Sequence, residues 1–348
     1  MRNVKLLAIV GARPQFIKHF PLELACKGRL SLTTIHTGQH YDQNMSDVFF
    51  DQLGMSRPDY MLDVGSGSHG AQTGKMMMAI EEIVIQDKPD YILVYGDTNS
   101  TIAGSLVAAK LHIPIVHVEA GLRSYNKSMP EEVNRVLTDH ISDYLFVPSE
   151  VAVNNLAKEG IQENVVVVGD IMKDLMHYCL EKGLEIAPDL NQEYYYATLH
   201  RPYNTDEEER LSYILDHLNA LKHTVIFSIH PRTRNAMRRF GMEVSSYSNI
   251  VFIDPQGYLN NLGYLKGAQA LITDSGGMQK EAYWTQTKCV TIRTETEWVE
   301  TLEDHANELV FEDLTSLQQK IDNRPKAWDV ELYGDATAAV HMIDEILK

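Results

Sequence analysis

Short runs of apolar, often β-branched residues recur along the chain, and the stretches between them carry apolar residues at helical spacing. In the first half these runs occupy residues 6–10, 32–37, 91–95, 113–118, 144–147 and 165–168. In the second half they occupy residues 194–198, 224–229, 250–253, 270–273, 289–292 and 308–311. Continuous apolar strands that alternate with helices are typical of parallel sheets covered on both faces. The pattern therefore predicts an α/β fold with two Rossmann-like parallel-sheet domains.

The boundary between the predicted domains falls at Gly169–Asp170, after the last apolar run of the first half. We therefore predict an N-terminal domain of residues 1–169 and a C-terminal domain of residues 170–348. A final helix, predicted at about residues 335–347, could pack on either domain. In open α/β sheets, ligands bind beyond the carboxyl ends of the strands. The residues that directly follow each strand are thus the first candidates for function.

Composition narrows the class of protein and its partners. A length of 348 residues fits about two domains. The net charge of −17 disfavours nonspecific binding to nucleic acid or to an anionic membrane surface, so we expect neither partner. The 3 cysteines form no CxxC pair, which indicates a reduced, cytoplasmic protein without a metal site. The apolar run at residues 6–10 is too short for the core of a signal peptide, and no run is long enough to span a membrane.

The first strand is followed by Gly11-Ala12-Arg13-Pro14, with Lys18 about one turn further on. Glycine permits a tight turn, and proline suits the first turn of a helix. Arg13 and Lys18 would then flank a helix N-terminus, whose free N–H groups favour an anion. The segment predicts a phosphate or diphosphate site; the alternative is an ordinary strand-to-helix turn with solvated bases.

Three carboxylates lie at or near strand ends in the first half. Asp97 follows the strand at 91–95, Glu119 follows the next strand, and Glu131 begins a later helix. Neighbouring parallel strands are ~4.8 Å apart, so adjacent strands would bring Asp97 and Glu119 into one crevice. Asp97 could instead cap a helix and Glu131 could complement a helix dipole, but Glu119 has no such structural role. We therefore predict that at least two of the three act in acid–base catalysis.

A second set of candidates follows strands in the second half. His200-Arg201 follows one strand, and Ser275-Gly276-Gly277 follows another and opens a helix. Backbone N–H groups beside these glycines could approach a phosphate closely. Glu281, one turn into that helix, could accept both hydroxyls of a ribose. The alternatives are a structural histidine in the core and glycines that serve only close packing.

No segment predicts a bound cofactor or metal. Residues 65–70 match the spacing G-x-G-x-x-G, but the expected strong strand before them is missing from the pattern, so we predict no dinucleotide site there. The 14 histidines include no HExxH pattern and no pairing with cysteine, which argues against zinc. We therefore expect no cofactor.

At these strand ends the chain resembles the non-hydrolysing UDP-N-acetylglucosamine 2-epimerases, and the resemblance covers nearly its whole length. Further segments that carry it are Thr37-Gly38-Gln39-His40, Gly96-Asp97-Thr98, His117-Val118-Glu119-Ala120-Gly121-Leu122-Arg123, Pro130-Glu131-Glu132 with Asn134-Arg135, and Asp274-Ser275-Gly276-Gly277 with Gln279. The resemblance implies two Rossmann-like domains of the glycosyltransferase-B type, with the active site in the cleft between them. It also implies a UDP-sugar substrate and a homodimer.

The resemblance assigns the catalytic carboxylates to the first domain and UDP binding to the second. The predicted catalytic residues are Asp97, Glu119, Glu131 and His200. The predicted substrate-binding residues are Arg13, Lys18, Gln39, His40, Arg135, Arg201, Ser275, Gly276, Gly277 and Glu281. The expected reaction interconverts UDP-N-acetylglucosamine and UDP-N-acetylmannosamine for the synthesis of surface polysaccharide.

Two departures from the family pattern leave the identity of the sugar open. Tyr203 stands where relatives carry an acidic residue, and Trp298 stands where they carry an arginine. In these features the chain is similar to relatives that act on modified UDP-sugars, such as UDP-2,3-diacetamido-2,3-dideoxyglucuronate. The further alternatives are a UDP-sugar glycosyltransferase of the same fold and a UDP-sugar sensor.

Overall fold

The computed structural model describes residues 3–39, 53–65 and 67–348, without the side chain of Arg13. The chain divides into two compact units. The first unit comprises Met1–Tyr178 and Glu331–Lys348, and the second comprises Cys179–Val330. The C-terminal segment therefore belongs to the first unit, while the predicted boundary at Gly169–Asp170 stays a prediction.

The first unit is built on one parallel sheet. Its strands are β1 (Lys5–Val10), β2 (Ser31–His36), β3 (Tyr60–Met61), β4 (Tyr91–Tyr95), β5 (Ile115–Val118), β6 (Tyr144–Val147) and β7 (Val165–Val167). They form a 7-stranded sheet in the order β3-β2-β1-β4-β5-β6-β7, with parallel pairing throughout. Among the strands that the structure describes, the apolar pattern missed only β3, because both of its residues are exposed and no apolar run marks it.

The second unit repeats this architecture. Its strands are β8 (Tyr194–Thr198), β9 (Thr224–Ser228), β10 (Ile250–Ile253), β11 (Ala270–Thr273), β12 (Lys288–Ile292) and β13 (Asn307–Val310). They form a 6-stranded sheet in the order β10-β9-β8-β11-β12-β13, again with parallel pairing. The prediction of an α/β fold with two parallel sheets is thereby confirmed.

Helices connect the strands in both units. The described α-helices are α1 (Arg13–Cys26), α2 (His69–Asp87), α3 (Asn99–Lys110), α4 (Pro130–Ile141), α5 (Glu150–Lys158), α6 (Ile171–Glu181), α7 (Pro202–Thr205), α8 (Glu208–Asn219), α9 (Pro231–Arg239), α10 (Tyr258–Gly267), α11 (Gly276–Trp284), α12 (Leu317–Asp322) and α13 (Ala338–Ile346). Short 3₁₀ segments occupy Val244–Ser246 and Val299–His305. Among the helices that the structure describes, none is long and apolar enough to cross a membrane.

The central strands are mainly apolar because helices cover both faces of each sheet. In the second unit, Tyr195 belongs to a buried cluster with Leu211 and Leu215 of α8. Its neighbour Tyr196 belongs to a different buried cluster, together with Leu265 of α10. Successive residues of a strand point to opposite faces, so these two clusters lie on the two sides of the sheet. A strand in this position can carry no alternating polar residues.

The strand order of each sheet reverses at one point, between β1 and β4 in the first and between β8 and β11 in the second. At such a reversal the connecting helices leave on opposite faces, and a crevice opens beyond the carboxyl ends of the strands. Asp97 follows β4, and His200 follows β8. The topology therefore places candidate residues of each unit where α/β sheets bind ligands.

Candidate active site

Asp97 and Glu119 follow neighbouring strands of the first sheet. Strands β4 and β5 pair in parallel, with Tyr95 opposite Val118. The backbone is left-handed just beyond both strands, with φ values of +57° at Gly96 and +67° at Glu119. Glycine adopts this conformation freely, whereas a glutamate in it is strained, and such strain often occurs at functional sites. Both carboxyl-bearing residues therefore lie in turns at the carboxyl edge of the sheet.

Each of these carboxylates has its own cationic partner. Lys18 on helix α1 donates to the carboxylate of Glu119, and Arg135 on helix α4 donates to that of Asp97. Asn134 adds a hydrogen bond from Nδ2 to the backbone oxygen of Asp97, at 2.9 Å. Four of the predicted site residues are therefore brought together in one cluster, which consists of two carboxylate–cation pairs with the carboxylates near each other.

The environment of Asp97 favours its protonated form. Burial raises the pKa of Asp97, and the nearby carboxylates of Glu119 and Glu131 raise it further. The cations of Arg135 and Lys18 act in the opposite direction and do not fully compensate. A carboxyl group with a raised pKa holds a proton more readily, as a general acid must.

The adjacent acidic residues Glu131 and Glu132 have different environments. Glu131 is exposed in the first turn of α4 and acts on Asp97 through its charge. Glu132 is buried, and its carboxylate accepts hydrogen bonds from Ser124 N and Oγ, both at 2.9 Å, and from Tyr125 N at 2.8 Å. Glu132 thus fixes the loop before α4, and Glu131 remains the candidate for chemistry.

Two glutamines support the loops around this cluster. Gln39 is buried, and its Oε1 accepts hydrogen bonds from Ser100 N at 3.1 Å and Ser100 Oγ at 2.7 Å. Gln15 accepts from Gly11 N at 2.9 Å and donates to Tyr95 O at 2.6 Å, so it ties the β1 turn to the end of β4. The sequence reasoning missed Gln15, although its place directly after Gly11-Ala12-Arg13-Pro14 marks it as a residue of that turn.

In the second unit a fully buried carboxylate organises the turn after β8. Asp274 accepts the backbone N–H groups of His200 and Arg201, at 3.0 and 2.9 Å, and an amide N–H of Asn204 at 3.1 Å. Burial by itself raises the pKa of Asp274, but these hydrogen bonds and the His200 ring outweigh burial and lower it. Asp274 was predicted only as part of a family motif; its place directly after β11 and before Ser275 was the available signal.

The ring of His200 lies between Asp274 and a second histidine. Its Nδ1 is 3.2 Å from Asp274 Oδ1, and its ring centroid is 5.3 Å from that of His230. The pKa of His230 is lowered, first by burial and then by the charge of His200. With one third of its side chain exposed, His200 is oriented by Asp274 and still accessible to a ligand.

The Ser275-Gly276-Gly277 turn opens helix α11, as predicted. A Cβ at Gly276 would meet its nearest neighbours, Trp298 Nε1 and Glu297 Oε1, at 3.6 and 3.8 Å, and one at Gly277 would meet nothing within 4 Å. Close packing therefore does not account for these glycines, and their predicted role in letting a ligand approach the backbone stays a prediction. Glu281 lies one turn further along α11.

Trp298 does not present its ring to solvent. Only 7% of the residue is exposed, and the ammonium of Lys280 lies 3.6 Å from its ring centroid. Nearby, Arg293 Nη1 donates to Glu297 Oε2 at 2.8 Å. Cations are thus present close to Trp298.

Three further residues were predicted to bind substrate: Arg13, His40 and Arg201. The side chain of Arg13 and the whole of His40 lie outside the described residues. Arg201 is partly buried, and its Nε donates to Asp274 O at 3.4 Å. Within the described parts of the chain, no group of three or more His, Cys, Asp or Glu residues could hold a metal ion. The roles of the site residues in binding and catalysis stay predictions.

A family model, curated relatives and solved structures all relate this chain to UDP-sugar 2-epimerases. The family model described as UDP-N-acetylglucosamine 2-epimerase matches residues 23–347. A Methanococcus maripaludis protein named UDP-N-acetylglucosamine 2-epimerase homolog is 45% identical over 99% of both chains. The UDP-2,3-diacetamido-2,3-dideoxy-D-glucuronate 2-epimerase of Pseudomonas aeruginosa is 44% identical, over 99% of this chain and 100% of that protein. A crystal structure of Methanocaldococcus jannaschii UDP-GlcNAc 2-epimerase, in complex with UDP-GlcNAc and UDP, is 40% identical over 99% of both chains, with a TM-score of 0.88.

Proposed function

Because the chain belongs to the UDP-N-acetylglucosamine 2-epimerase family, we propose that it interconverts UDP-N-acetylglucosamine and UDP-N-acetylmannosamine. In this proposal the enzyme is an isomerase that needs no cofactor, works as a homodimer and supplies a precursor of surface polysaccharide. The bound UDP-GlcNAc and UDP of the M. jannaschii relative support a UDP-sugar substrate.

The proposed chemistry is elimination followed by re-addition. C2 of an N-acetylhexosamine has no neighbouring carbonyl, so its proton is not acidic enough for direct removal. In the forward step a base takes the proton from C2 while the bond between C1 and the UDP oxygen breaks, which gives a 2-acetamidoglycal and UDP. In the return step the UDP oxygen adds to C1 while an acid delivers a proton to the opposite face of C2. Two acid–base groups are therefore required, and the UDP must be retained between the steps.

The observation that carries this proposal is the cluster of two neighbouring carboxylates, Glu119 and Asp97, with their cationic partners Lys18 and Arg135. It supplies two carboxylates on adjacent strands, one of which is pushed toward its protonated form by burial and by its neighbours. Glu131 offers a third. Each well-placed acid or base contributes a factor of ~10²–10⁴ to the rate.

Retention of UDP is assigned to the second unit. The start of α11 at Ser275-Gly276-Gly277 offers free N–H groups to a diphosphate, and His200 and Arg201 add polar groups next to it. Glu281 would accept the ribose hydroxyls. Lys18 and Arg13 were predicted to contribute to the diphosphate site; the contact of Lys18 with Glu119 favours a role for Lys18 beside the reacting sugar instead.

The sugar carried by UDP has a second candidate. The P. aeruginosa relative, named for UDP-2,3-diacetamido-2,3-dideoxy-D-glucuronate, is 44% identical to the chain, against 45% for the M. maripaludis one. Lys280, Arg293 and Arg201 also provide cations near the helix start, which suit a uronate carboxylate. We therefore retain the 2-epimerisation of this modified sugar as the alternative.

Proton NMR in D₂O with a panel of UDP-2-acetamido sugars tests the proposal. Incubation without any acceptor should exchange the C2 proton for deuterium and generate the 2-epimer, most efficiently with UDP-N-acetylglucosamine. Faster turnover of the diacetamido-glucuronate would select the alternative. Binding of UDP-sugars with no exchange at C2 in any of them would contradict epimerisation and favour a glycosyltransferase or a sensor.

A further inference from the structure

A fully buried histidine on β5 has hydrogen-bond acceptors on both sides of its ring. His117 Nδ1 is 2.7 Å from Asp139 Oδ1, and its Nε2 is 2.8 Å from the backbone oxygen of Gly96. A backbone oxygen can only accept, so Nε2 must carry a proton. A neutral imidazole has only one N–H, so the short contact with Asp139 needs a second proton, placed on Nδ1 or on the carboxyl group.

The surroundings of Asp139 decide where that second proton lies. Its other oxygen accepts hydrogen bonds from Gly121 N at 3.1 Å and from Arg123 Nη1 at 2.7 Å. Arg123 also binds Glu159 through two contacts of 2.7 Å, so one guanidinium is shared by two carboxylates. With a positive charge on His117, the four groups form a row in which anions and cations alternate: Glu159, Arg123, Asp139 and His117. Burial raises the pKa of Asp139, but His117 and Arg123 outweigh burial and lower it.

This chain of charges ends at the two catalytic candidates of the first unit. The oxygen that His117 binds belongs to Gly96, the residue directly before Asp97. Glu119 follows His117 by two positions on the same strand end, and its Oε2 lies 3.5 Å from the point that a Cβ on Gly96 would occupy. Gly96 N in turn donates to Val118 O at 2.9 Å. The left-handed turn at Gly96 is therefore held from both sides.

We propose that His117 is a positioning residue, kept as a buried imidazolium by Asp139, that fixes the turn carrying Asp97 beside Glu119. A hydrogen bond from a charged donor is stronger than a neutral one, so the imidazolium holds the Gly96 carbonyl more firmly than a neutral ring would. The charge state stands on the hydrogen-bond geometry alone, whereas the positioning role rests on the proposed function of Asp97 and Glu119.

The charge state is tested by NMR on the ¹⁵N-histidine-labelled full chain at the neutral pH of the activity assay. His117, assigned by its absence in His117→Gln, should show two protonated ring nitrogens. His19 is an internal reference, because it is also buried but faces the hydroxyls of Tyr95 and Thr34 at 2.9 Å, and burial lowers its pKa to about 4. It should show one protonated nitrogen.

Asp139→Asn sharpens this measurement. The amide oxygen can still accept from Gly121 and Arg123, while the amide N–H₂ donates to Nδ1, so His117 should become neutral with every hydrogen bond retained. A wild-type His117 with one unprotonated nitrogen would overturn the charge assignment. This readout needs no turnover, so it stands or falls independently of the proposed reaction.

Two variants of His117 itself test its positioning role. His117→Gln places an N–H near the position of Nε2 and keeps the bond to Gly96, whereas His117→Asn places its amide near Nδ1 and cannot reach Gly96. We expect kcat for C2 proton exchange to be at least ~10-fold lower in the asparagine variant than in the glutamine variant, because small misplacements of catalytic groups are costly. The Kd for UDP should be unchanged in both. Equal kcat values in the two folded variants would overturn the positioning role.

Discussion

The carboxylate of Asp274 accepts the backbone N–H of His200 at 3.0 Å and lies 3.2 Å from Nδ1 of the same residue's ring. One buried side chain thus fixes both the path of the chain after β8 and the direction of the imidazole. The same carboxylate also accepts from Arg201 N at 2.9 Å. The two backbone N–H groups and the His200 ring thus all bind one buried carboxylate. Hydrogen bonds to a charged group are strong, so the turn should be rigid before any ligand binds.

Replacing Asp274 by asparagine should therefore weaken UDP binding. The amide presents an N–H₂ group to donors, so at least one buried N–H loses its acceptor, at a cost of ~1–3 kcal/mol in the free energy of unfolding. We expect a lower melting temperature and at least a ~10-fold higher Kd for UDP, measured by calorimetry, for a similar loss of ~1.4 kcal/mol in binding. Asp254→Asn, at an exposed carboxylate paired with Arg234, is the control and should change neither quantity.

The proposed acid–base roles predict a different pattern for the first unit. Asp97→Asn, Glu119→Gln and Glu131→Gln should each lower turnover by ~10² or more while UDP affinity changes little. Proton exchange at C2, followed by NMR, measures the first effect, and calorimetry measures the second. Glu163→Gln, at an exposed glutamate, serves as the control. Turnover near the wild-type value in all three variants would remove the basis of the assignment.

Gly276→Val should abolish UDP binding without unfolding the protein. A Cβ at this position meets neighbours only at ordinary contact distances, 3.6 Å or more, so the helix start has room for it. Methyl groups on the side facing the N-terminus of α11 would still keep a diphosphate from the free N–H groups. Thermal unfolding should give a melting temperature close to that of the wild type. Unchanged UDP affinity in calorimetry would show that the diphosphate does not bind at this turn.

The fold was predictable from the sequence because burial on both faces leaves an unmistakable apolar signal. Runs such as residues 6–10 mark β1, where Leu6 and Leu7 are almost wholly buried. β3 escaped prediction because an edge strand of two exposed residues has no such signal. The same logic located Asp97, Glu119 and His200, since each lies one or two residues beyond an apolar strand.

The contacts that organise the site were less predictable, because they join residues far apart in sequence. His117 and Asp139 are separated by 22 positions and come together through the packing of α4 on β5. Nothing in the local sequence distinguishes Asp139 from an ordinary helix-surface acid. Likewise, Glu131 and Glu132 are adjacent residues of the same type, and the sequence does not show which of them is buried. The preceding loop, which donates hydrogen bonds to Glu132, decides this. The packing of the Lys280 ammonium on the buried Trp298 ring has no local sequence signal either, because the two residues are 18 positions apart.

Arg135→Met should move the pH dependence of turnover to higher pH. Burial is the largest influence on Asp97 and raises its pKa, and the Arg135 cation is the main influence that lowers it. Removal of that cation leaves burial and the charges of Glu119 and Glu131 opposed only by Lys18, so the pKa of Asp97 should rise further. If Asp97 acts as a base, the ascending limb of the kcat profile moves up in pH; if it acts as an acid, the descending limb does, so the sign is the same. Arg29→Met, at a surface pair with Asp344, should leave the profile in place, and a limb displaced to lower pH in Arg135→Met would contradict the electrostatic role assigned to Arg135.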